Sequence, residues 1–299
     1  MKLLKPAAFA LLTWAIATMS VNAATALHGY IDKTGKLVIP AKYEEAREFC
    51  ESRAQVKKDG KAFYIDTTGN VVLDPHSDLG GDFGSGLAAI KKGENVWVYV
   101  DKDGKQVIPQ KFEHAASFAD GLAMVFENNH WGWIDPKGIL VIAPQFHSAG
   151  SFSDGLATVM KNEHWGYIDR SGKAVIKIDL MEAESFGSGL AKVMKSGSNK
   201  YVYIDKTGKT VLTPKYEELG DFAEGLCLVG KQGHFKFINK EGQQAFPGEF
   251  VDGQPFSEGV AAVQQGKVWG FIDKNGKWVI KPQFKWAYKF TDGLAAVQP

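Results

Sequence analysis

The chain has 299 residues, of which 35 are Lys or Arg and 34 are Asp or Glu, so its formal charge at pH 7 is +1. Proteins that bind nucleic acids or anionic membranes usually carry an excess of basic residues, which this nearly neutral chain does not have. Neither nucleic acid nor membrane is therefore expected as a partner. The 33 glycines and the 12% of aromatic residues instead favour a protein built from strands and tight turns.

The N-terminus carries a predicted export signal. Lys2 and Lys5 precede an apolar run over residues 7–19, and small residues around Ala23 fit a signal-peptidase site. The run is shorter than the ~20 residues that a membrane-spanning helix needs. We therefore expect residues 1–23 to be removed, residues 24–299 to form one domain, and no membrane insertion after cleavage. The periplasm is the expected location, with the extracellular space as the alternative.

The rest of the chain repeats one motif, an aromatic residue followed by a branched apolar residue and Asp-x-x-Gly. The Asp position of one copy lies 34 to 36 residues from that of the next, and it is occupied by Asp32, Asp66, Asp101, Asp135, Asp169, Asp205 and Asp273, with Asn239 in the seventh copy. A Phe follows 17 residues later in every copy: Phe49, Phe83, Phe118, Phe152, Phe186, Phe222, Phe256 and Phe290. The sequence thus divides into eight repeats that start near residues 29, 63, 98, 132, 166, 202, 236 and 270.

Each repeat predicts three strands in chain order. The first is the aromatic segment, as in residues 165–169, whose side chains alternate with the period of two expected of a strand. An Asp-x-x-Gly turn leads to a second strand of the type Gly-Lys-x-Val-Ile, which we expect a proline such as Pro144 to end. A loop or single helical turn then returns the chain to a Leu-Ala-x-Val strand. Length changes fall after this third strand, which indicates an exposed turn.

The segments Trp131-Gly132-Trp133-Ile134-Asp135 and Trp165-Gly166-Tyr167-Ile168-Asp169 resemble the core of the bacterial WG-repeat family. The following Val-Ile-x-Pro-x-Phe and Asp-Gly-Leu-Ala-x-Val segments are similar to the rest of that family's unit. The resemblance runs from about Gly29 to Val297. It implies a β-rich repeat domain used for binding, with no common enzymatic activity or cofactor.

The predicted fold is all-β, a tandem array of eight three-stranded antiparallel units. One such unit cannot bury its aromatic face alone, so neighbouring units must share a continuous core. We expect an open, curved, solenoid-like array. The alternative is a closed, propeller-like ring of eight units, in which the first strand pairs with the last and two exposed edges disappear.

The repeated residues are interpreted as structural, because a residue present in every copy is explained by the fold. The Asp positions are expected to cap turns, since a calcium site needs six or more converging oxygens. The aromatic positions are expected in the core, with sugar stacking as the alternative. The representative structural residues are Trp97, Trp131, Trp165, Trp269, Asp101, Asp135, Asp169, Asp205, Phe118 and Phe152.

The remaining reactive side chains do not form a recognisable catalytic or metal motif. His130, His164 and His234 occupy matching positions, and we expect solvated turn residues, because a metal site would need further ligands. The carboxylate pairs Glu44-Glu45 and Glu217-Glu218 are expected at the surface. Cys227 stands in a small-residue position, and an open array would keep it far from Cys50. No catalytic residue, cofactor or metal is therefore predicted.

The favoured function is a non-enzymatic exported scaffold that binds a protein or peptide in the cell envelope. A narrower form of this hypothesis is an inhibitor or immunity protein. The alternative is a module that binds peptidoglycan or another glycan through exposed aromatic residues. Because the repeated positions serve the fold, the binding surface is expected where copies depart from the pattern, at residues 75–79 of repeat 2 and 177–180 of repeat 5.

Overall fold

The computed structural model describes residues 27–77 and 80–299, and the predicted export signal at 1–23 lies outside them. The regular elements in these ranges are all β-strands. Within the same ranges, no helix is long and apolar enough to cross a membrane. The first half of the chain forms β1 (His28–Ile31), β2 (Leu37–Tyr43), β3 (Glu45–Ala46), β4 (Ala54–Lys58), β5 (Lys61–Ile65), β6 (Val71–Leu73), β7 (Ala88–Gly93), β8 (Val96–Val100), β9 (His114–Ala115), β10 (Ala123–Glu127), β11 (His130–Ile134), β12 (Leu140–Phe146), β13 (Ser148–Ala149) and β14 (Ala157–Lys161).

The second half of the chain is also built from short consecutive strands. It forms β15 (His164–Ile168), β16 (Ala174–Ala183), β17 (Leu190–Lys195), β18 (Tyr201–Asp205), β19 (Thr210–Leu212), β20 (Glu218–Ala223), β21 (Leu226–Lys231), β22 (His234–Ile238), β23 (Asp252–Gly253), β24 (Val260–Gln265), β25 (Val268–Asp273), β26 (Trp278–Phe284), β27 (Trp286–Ala287) and β28 (Ala295–Gln298).

A complete sheet has four antiparallel strands that follow one another along the chain, as in β9, β10, β11 and β12. The second and third strands are the Leu-Ala-x-Val and aromatic segments, which form a hairpin with Ala123 opposite Ile134. The fourth is the Val-Ile segment. Each sheet therefore takes its first two strands from one repeat and its last two from the next, which joins neighbouring repeats through backbone hydrogen bonds.

The three-stranded unit expected from the sequence misses the first strand of this sheet. In repeat 3 the return segment is the expected loop, without a helical turn, but two of its residues also pair with the Leu-Ala-x-Val strand. In β9, His114 lies opposite Phe126 and Ala115 opposite Val125. This pairing gives the buried amides and carbonyls of the segment hydrogen-bond partners, which they need once they leave water.

The expectation that proline ends the second strand of a repeat holds in repeat 6, where β19 ends two residues before Pro214, but it is wrong in repeat 4. In β12, Trp131 lies opposite Phe146 and Trp133 opposite Ile142, so the outer strand has two more residues than its partner between these pairs. Pro144 lies within this bulge, where no ladder amide is required, and the strand continues to Phe146.

Repeat 5 joins two sheets into one of seven strands. Its strand β16 has ten residues and pairs with β15 through Ile176 and Leu180. Its C-terminal end then serves as the first strand of the following sheet, with Glu182 opposite Met194 and Ala183 opposite Val193. This continuity occurs where the repeat lacks the Pro-x-Phe segment.

The core of every repeat contains an aromatic pair, formed by the residue two before the Asp position and the Phe 17 after it. Their ring centroids lie 4.8 to 5.6 Å apart. The pairs are Tyr30–Phe49, Tyr64–Phe83, Tyr99–Phe118, Trp133–Phe152, Tyr167–Phe186, Tyr203–Phe222, Phe237–Phe256 and Phe271–Phe290. Where the first partner is Tyr, its hydroxyl donates to a backbone carbonyl of the return segment, as from Tyr167 to Glu184 at 2.7 Å.

The Asp positions cap their turns. In repeat 4, Asp135 Oδ1 accepts hydrogen bonds from the amides of Lys137 and Ile139, both at 2.9 Å. Asp101, Asp169 and Asp205 make the equivalent pairs of bonds. The Gly that follows has φ near +80°, as at Gly138, a conformation in which a β-carbon would be strained.

The two ends of the repeat region lie in one sheet. Strand β1 pairs with β28, with Gly29 opposite Val297 and Ile31 opposite Ala295. We call the junction between the first and last repeats the seam. Side chains also meet across it, since Lys289 Nζ of the last repeat lies 3.1 Å from Glu48 Oε2 of the first. One cluster of core residues accordingly contains both Tyr30 and Leu294.

Candidate functional site

A groove lies beside β16, where this strand passes from its pairing with β15 to its pairing with β17. Its volume is about 410 Å³. It is lined by Val175, Ile176, Lys177, Asp179, Leu180, Lys195, Ser196, Ile204, Thr207 and Gly208. The groove coincides with the departure of repeat 5 from the common pattern, which the sequence analysis singled out.

The floor of the groove is apolar and its rim is polar. Ile176, Leu180 and Ile204 lie beneath it and are almost fully buried, whereas Val175 is 44% exposed. On the rim, Lys177 Nζ lies 3.0 Å from the Asp179 carboxylate.

Residues specific to repeats 5 and 6 form one wall of the groove. The turn after β17 is two residues longer than most of its counterparts, since Asp169 and Asp205 are 36 residues apart. Ser196 in this turn donates a hydrogen bond to the Asp179 carbonyl. Behind it, the Tyr201 hydroxyl donates to the Glu182 carboxylate, and this hydrogen bond raises the pKa of Tyr201 to about 12.

The outer edge of β16 carries unused backbone hydrogen-bonding capacity beside the groove. One edge of the strand pairs with β15, and on the other edge the pairing with β17 begins only at Leu180. In the described part of the chain, no strand covers that second edge over residues 174–179. Such an edge is a template for an added strand.

A second, smaller depression lies at the other departure, in repeat 2. Its volume is about 240 Å³, and its lining includes Lys61, Asp74 and His76. The His76 ring Nδ1 lies 3.3 Å from the Asp74 carboxylate, and both side chains are well exposed. Both departures from the repeat pattern are therefore associated with concave surface.

The four tryptophans of the first strand differ in exposure. Trp269 is 1% exposed, whereas Trp97, Trp131 and Trp165 are half-buried. Trp97 stacks on His114 with a centroid separation of 4.9 Å. The Trp131 ring contacts both His114 and Phe126. These rings therefore pack against other rings of the protein.

The structure places the predicted turn histidines at the ends of hairpins. The Nδ1 atoms of His130 and His164 lie 2.9 Å from the carbonyls of Asn128 and Asn162. His234 Nδ1 instead lies 3.1 Å from Glu249 Oε2. The ring centroids of His130 and His147 lie 5.1 Å apart. His147 occupies no recurrent histidine position, so the repeat pattern alone does not point to it.

The two carboxylate pairs bind separate groups. Glu45 lies 3.4 Å from Lys57 Nζ, while Glu44 accepts a hydrogen bond from the Gly60 amide. Glu217 lies 2.7 Å from Lys231 Nζ, and Glu218 accepts from the Gln232 amide. Neither pair converges on a common point, as the two catalytic carboxylates of a typical glycoside hydrolase do.

Both cysteines are free thiols. Burial raises the pKa of the Cys50 thiol to about 12 and that of Cys227 to about 11. Cys227 is fully buried, and its Sγ lies 3.2 Å from the Tyr203 hydroxyl. Across residues 27–77 and 80–299, no three His, Cys, Asp or Glu side chains are grouped to hold a metal ion.

Solved structures share the fold of this chain at low sequence identity. The computationally designed Ika8 protein is similar with a TM-score of 0.54 and 12% identity, over 85% of this chain and 94% of that one. A structure described as the eukaryotic initiation factor has a TM-score of 0.55 and 10% identity, over 89% and 87%. The WD40 beta propeller domain of Doa1 aligns with a TM-score of 0.42 and 13% identity over 85% and 92%, a score too low to assign a shared fold.

Sequence comparison identifies the repeat itself. No curated protein matches the chain significantly. A family model described as the WG containing repeat matches residues 29–61, 63–97, 97–129, 131–163, 165–201, 203–233, 237–269 and 269–298. These eight matches confirm the resemblance inferred from the Trp-Gly motifs and span almost the whole described chain. The chain therefore belongs to the WG containing repeat family.

Proposed function

We propose that the chain is a non-enzymatic scaffold that binds an extended segment of a partner protein in the groove beside β16. The observation that carries this proposal is the coincidence of a groove with an unpaired strand edge. Val175 and Lys177 lie on this edge and also line the groove. A bound segment would hydrogen-bond to the edge as an added strand, with its backbone giving affinity and alternate side chains giving specificity.

The chemistry of the groove indicates the preferred segment. Alternate residues of an added strand would point toward the floor, where Ile176, Leu180 and Ile204 favour apolar side chains. Lys195 and Lys177 stand on the rim, and the single carboxylate of Asp179 is paired with Lys177. A segment with alternating apolar and acidic residues would fit both features.

The cell envelope remains the proposed location, and action as an inhibitor or immunity protein remains a narrower form of the proposal. Glycan binding is less favoured, because the half-buried Trp97 and Trp131 are already in ring-to-ring contacts. A sugar-stacking platform needs a free ring face. A protein segment could use both the apolar floor of the groove and the unpaired strand edge, whereas a glycan has no peptide backbone to pair with that edge.

We also propose that the eight repeats close into a propeller-like ring in place of the open array expected from the sequence. Support comes from the pairing of β1 with β28 and from the ion pair between Lys289 and Glu48. A recurring hydrogen bond links neighbouring repeats, in which a backbone amide of one repeat donates to a side chain of the repeat before it, as from the Gly189 amide to the Asp154 carboxylate. The same type of bond joins the Ser52 amide to Asp292 across the seam, at 2.6 Å.

Selection from a displayed library of linear peptides, followed by calorimetry with each selected peptide, tests the binding proposal. Val175→Glu places a negative charge at the groove, where it would repel the acidic residues of the segment, and Val279→Glu is the matched control. Val279 lies on the outer strand of repeat 8 at the equivalent position, 46% exposed against 44% for Val175.

Selected peptides should bind Val175→Glu at least about tenfold more weakly, a loss of about 1.4 kcal/mol, and should bind Val279→Glu unchanged. Equal melting temperatures of the two variants would show that neither change disturbs the fold. Failure to enrich any peptide, or equal binding to both variants, would contradict the proposal.

A further inference from the structure

We propose that repeat 4 binds a divalent transition-metal ion, Zn²⁺ or Cu²⁺, through the imidazoles of His130 and His147. His130 is the first residue of β11, and His147 directly follows the end of β12. The adjacent residues Trp131 and Phe146 are opposed in the β11–β12 pairing, so this ladder holds the two histidines at the same end of the sheet. The site is separate from the groove of repeat 5.

The separation of the rings suits one shared ion. A zinc–nitrogen bond is about 2.0 to 2.1 Å, and two imidazoles on one tetrahedral ion therefore have ring centroids about 5 Å apart. The centroids of His130 and His147 lie 5.1 Å apart, with an angle of 54° between the ring planes. Small side-chain rotations would bring a nitrogen of each ring to the ion.

The hydrogen bond of His130 prepares one nitrogen for ligation. Its Nδ1 lies 2.9 Å from the Asn128 carbonyl, which can only accept, so Nδ1 carries the proton. The neutral ring then presents the lone pair of Nε2. Histidines that bind metals commonly have this arrangement, in which a backbone carbonyl fixes the tautomer and the orientation of the ring.

A carboxylate lies next in the same cross-strand row. Glu127 is opposed to His130 in the β10–β11 pairing, and opposed residues project from the same face of a sheet. Glu127 would balance part of the charge of the ion. No third side chain in the described residues already completes a ligand group. Water would therefore occupy the remaining positions of an open, surface-exposed site.

Repeat 5 provides an internal control. His164 has the same hydrogen bond, from Nδ1 to the Asn162 carbonyl at 2.9 Å. Lys161 is opposed to it where repeat 4 has Glu127, and Met181 stands where repeat 4 has His147. The geometry of the hairpin is thus kept while the second imidazole and the carboxylate are lost. The proposal therefore predicts binding in repeat 4 and none in repeat 5.

Titration of the full-length chain, purified without a histidine tag, with Zn²⁺ and with Cu²⁺ tests the site. Calorimetry should give one ion per chain, and electron paramagnetic resonance of the Cu²⁺ form should show coupling to two imidazole nitrogens. His130→Ala and His147→Ala should each weaken binding about tenfold or more, whereas His164→Ala should leave it unchanged. All three side chains are at least partly exposed, and equal metal-free melting temperatures would verify folding.

A gain-of-binding variant provides a second test. Met181→His combined with Lys161→Glu reproduces the ligand set of repeat 4 around His164, and the stoichiometry should rise from one ion to two. Absence of binding by the unmodified chain would overturn the proposal. So would equal affinity in the His147→Ala and His164→Ala variants, or a Cu²⁺ spectrum unchanged by His130→Ala.

Discussion

Gly132 lies against the outer strand of its sheet, so closely that a β-carbon at this position would stand 2.5 Å from the carbonyl oxygen of Ile142. The equivalent glycines Gly29, Gly166 and Gly270 would collide with the corresponding carbonyls at 2.6 to 2.8 Å. Each of these four repeats has an outer strand of seven or ten residues: β2, β12, β16 and β26.

The other four repeats have a side chain at this position, and their outer strands are short. Phe63 and Val202 precede outer strands of only three residues, β6 and β19. After Val98 and Lys236, the described outer segment forms only isolated bridges. The glycine of the Trp-Gly motif thus allows the bulged fourth strand to run along the third.

Gly132→Ala should destabilise the protein by about 1 to 3 kcal/mol, the usual cost of forcing an added methyl group into packed structure. Urea unfolding measures the change. Gly93→Ala is the control, since a β-carbon there would meet only ordinary contacts with Val96, at 3.5 Å or more. Equal stability of the two variants would show that the close approach does not constrain residue 132.

Asp82→Asn should stabilise the protein at neutral pH. Burial raises the pKa of the Asp82 carboxyl, against the attraction of Arg47 and Lys289. The fold therefore favours the protonated acid, a contribution that is full below the unfolded pKa of about 3.8 and is lost as pH rises through the folded pKa. Asparagine retains the uncharged state at every pH.

The gain in melting temperature of Asp82→Asn should be present at pH 7 and should shrink toward pH 3. Asp103→Asn, in an exposed turn, serves as the matched control. A lower melting temperature for Asp82→Asn at pH 7 would show that attraction to Arg47 and Lys289 outweighs the cost of burial.

Both thiols should react slowly in the folded protein. At pH 8 the raised pKa values of Cys50 and Cys227 leave almost no thiolate, which is the reactive form. A thiol assay on the unreduced chain should therefore give two thiols after denaturation and a much slower signal before it. Detection of no thiol in the denatured, unreduced chain would indicate a disulfide and contradict the structure.

Binding to purified peptidoglycan should not depend on the half-buried tryptophans. Trp131→Ala combined with Trp165→Ala should lower stability, because each ring contributes to packing. A sedimentation assay should show the same association with peptidoglycan for this variant and the unmodified chain. Selective loss of association by a folded variant would favour the glycan-binding alternative.

The repeated features of the fold could be predicted because each is visible in seven or all eight of the copies. The turn function of Asp135 and the core position of Phe152 follow from their constant spacing. The two-residue strand His114–Ala115 could not be predicted in the same way, since two residues are too few to show alternation. The extension of the outer strand past Pro144 depends on a bulge opposite Gly132, which only the paired backbones reveal.

The candidate site could be located only in part from the sequence. The departure at residues 177–180 coincides with one side of the groove. The groove, however, also needs Ile204 and Thr207 of the next repeat, and these are brought there by strand pairing. The proximity of His130 and His147 likewise results from the β11–β12 ladder, since the residues are 17 positions apart and only one occupies a recurrent histidine position.

Closure of the eight repeats into one ring is tested most directly by zero-length carbodiimide coupling of the monomeric protein, with cross-links identified by mass spectrometry. Ring closure predicts intramolecular bonds from Lys289 to Glu48 and from Lys33 to Glu258, each pair now 3.1 Å apart across the seam. The Lys231–Glu217 pair, within one repeat at 2.7 Å, is the positive control. Recovery of that control without either seam cross-link would contradict a closed ring.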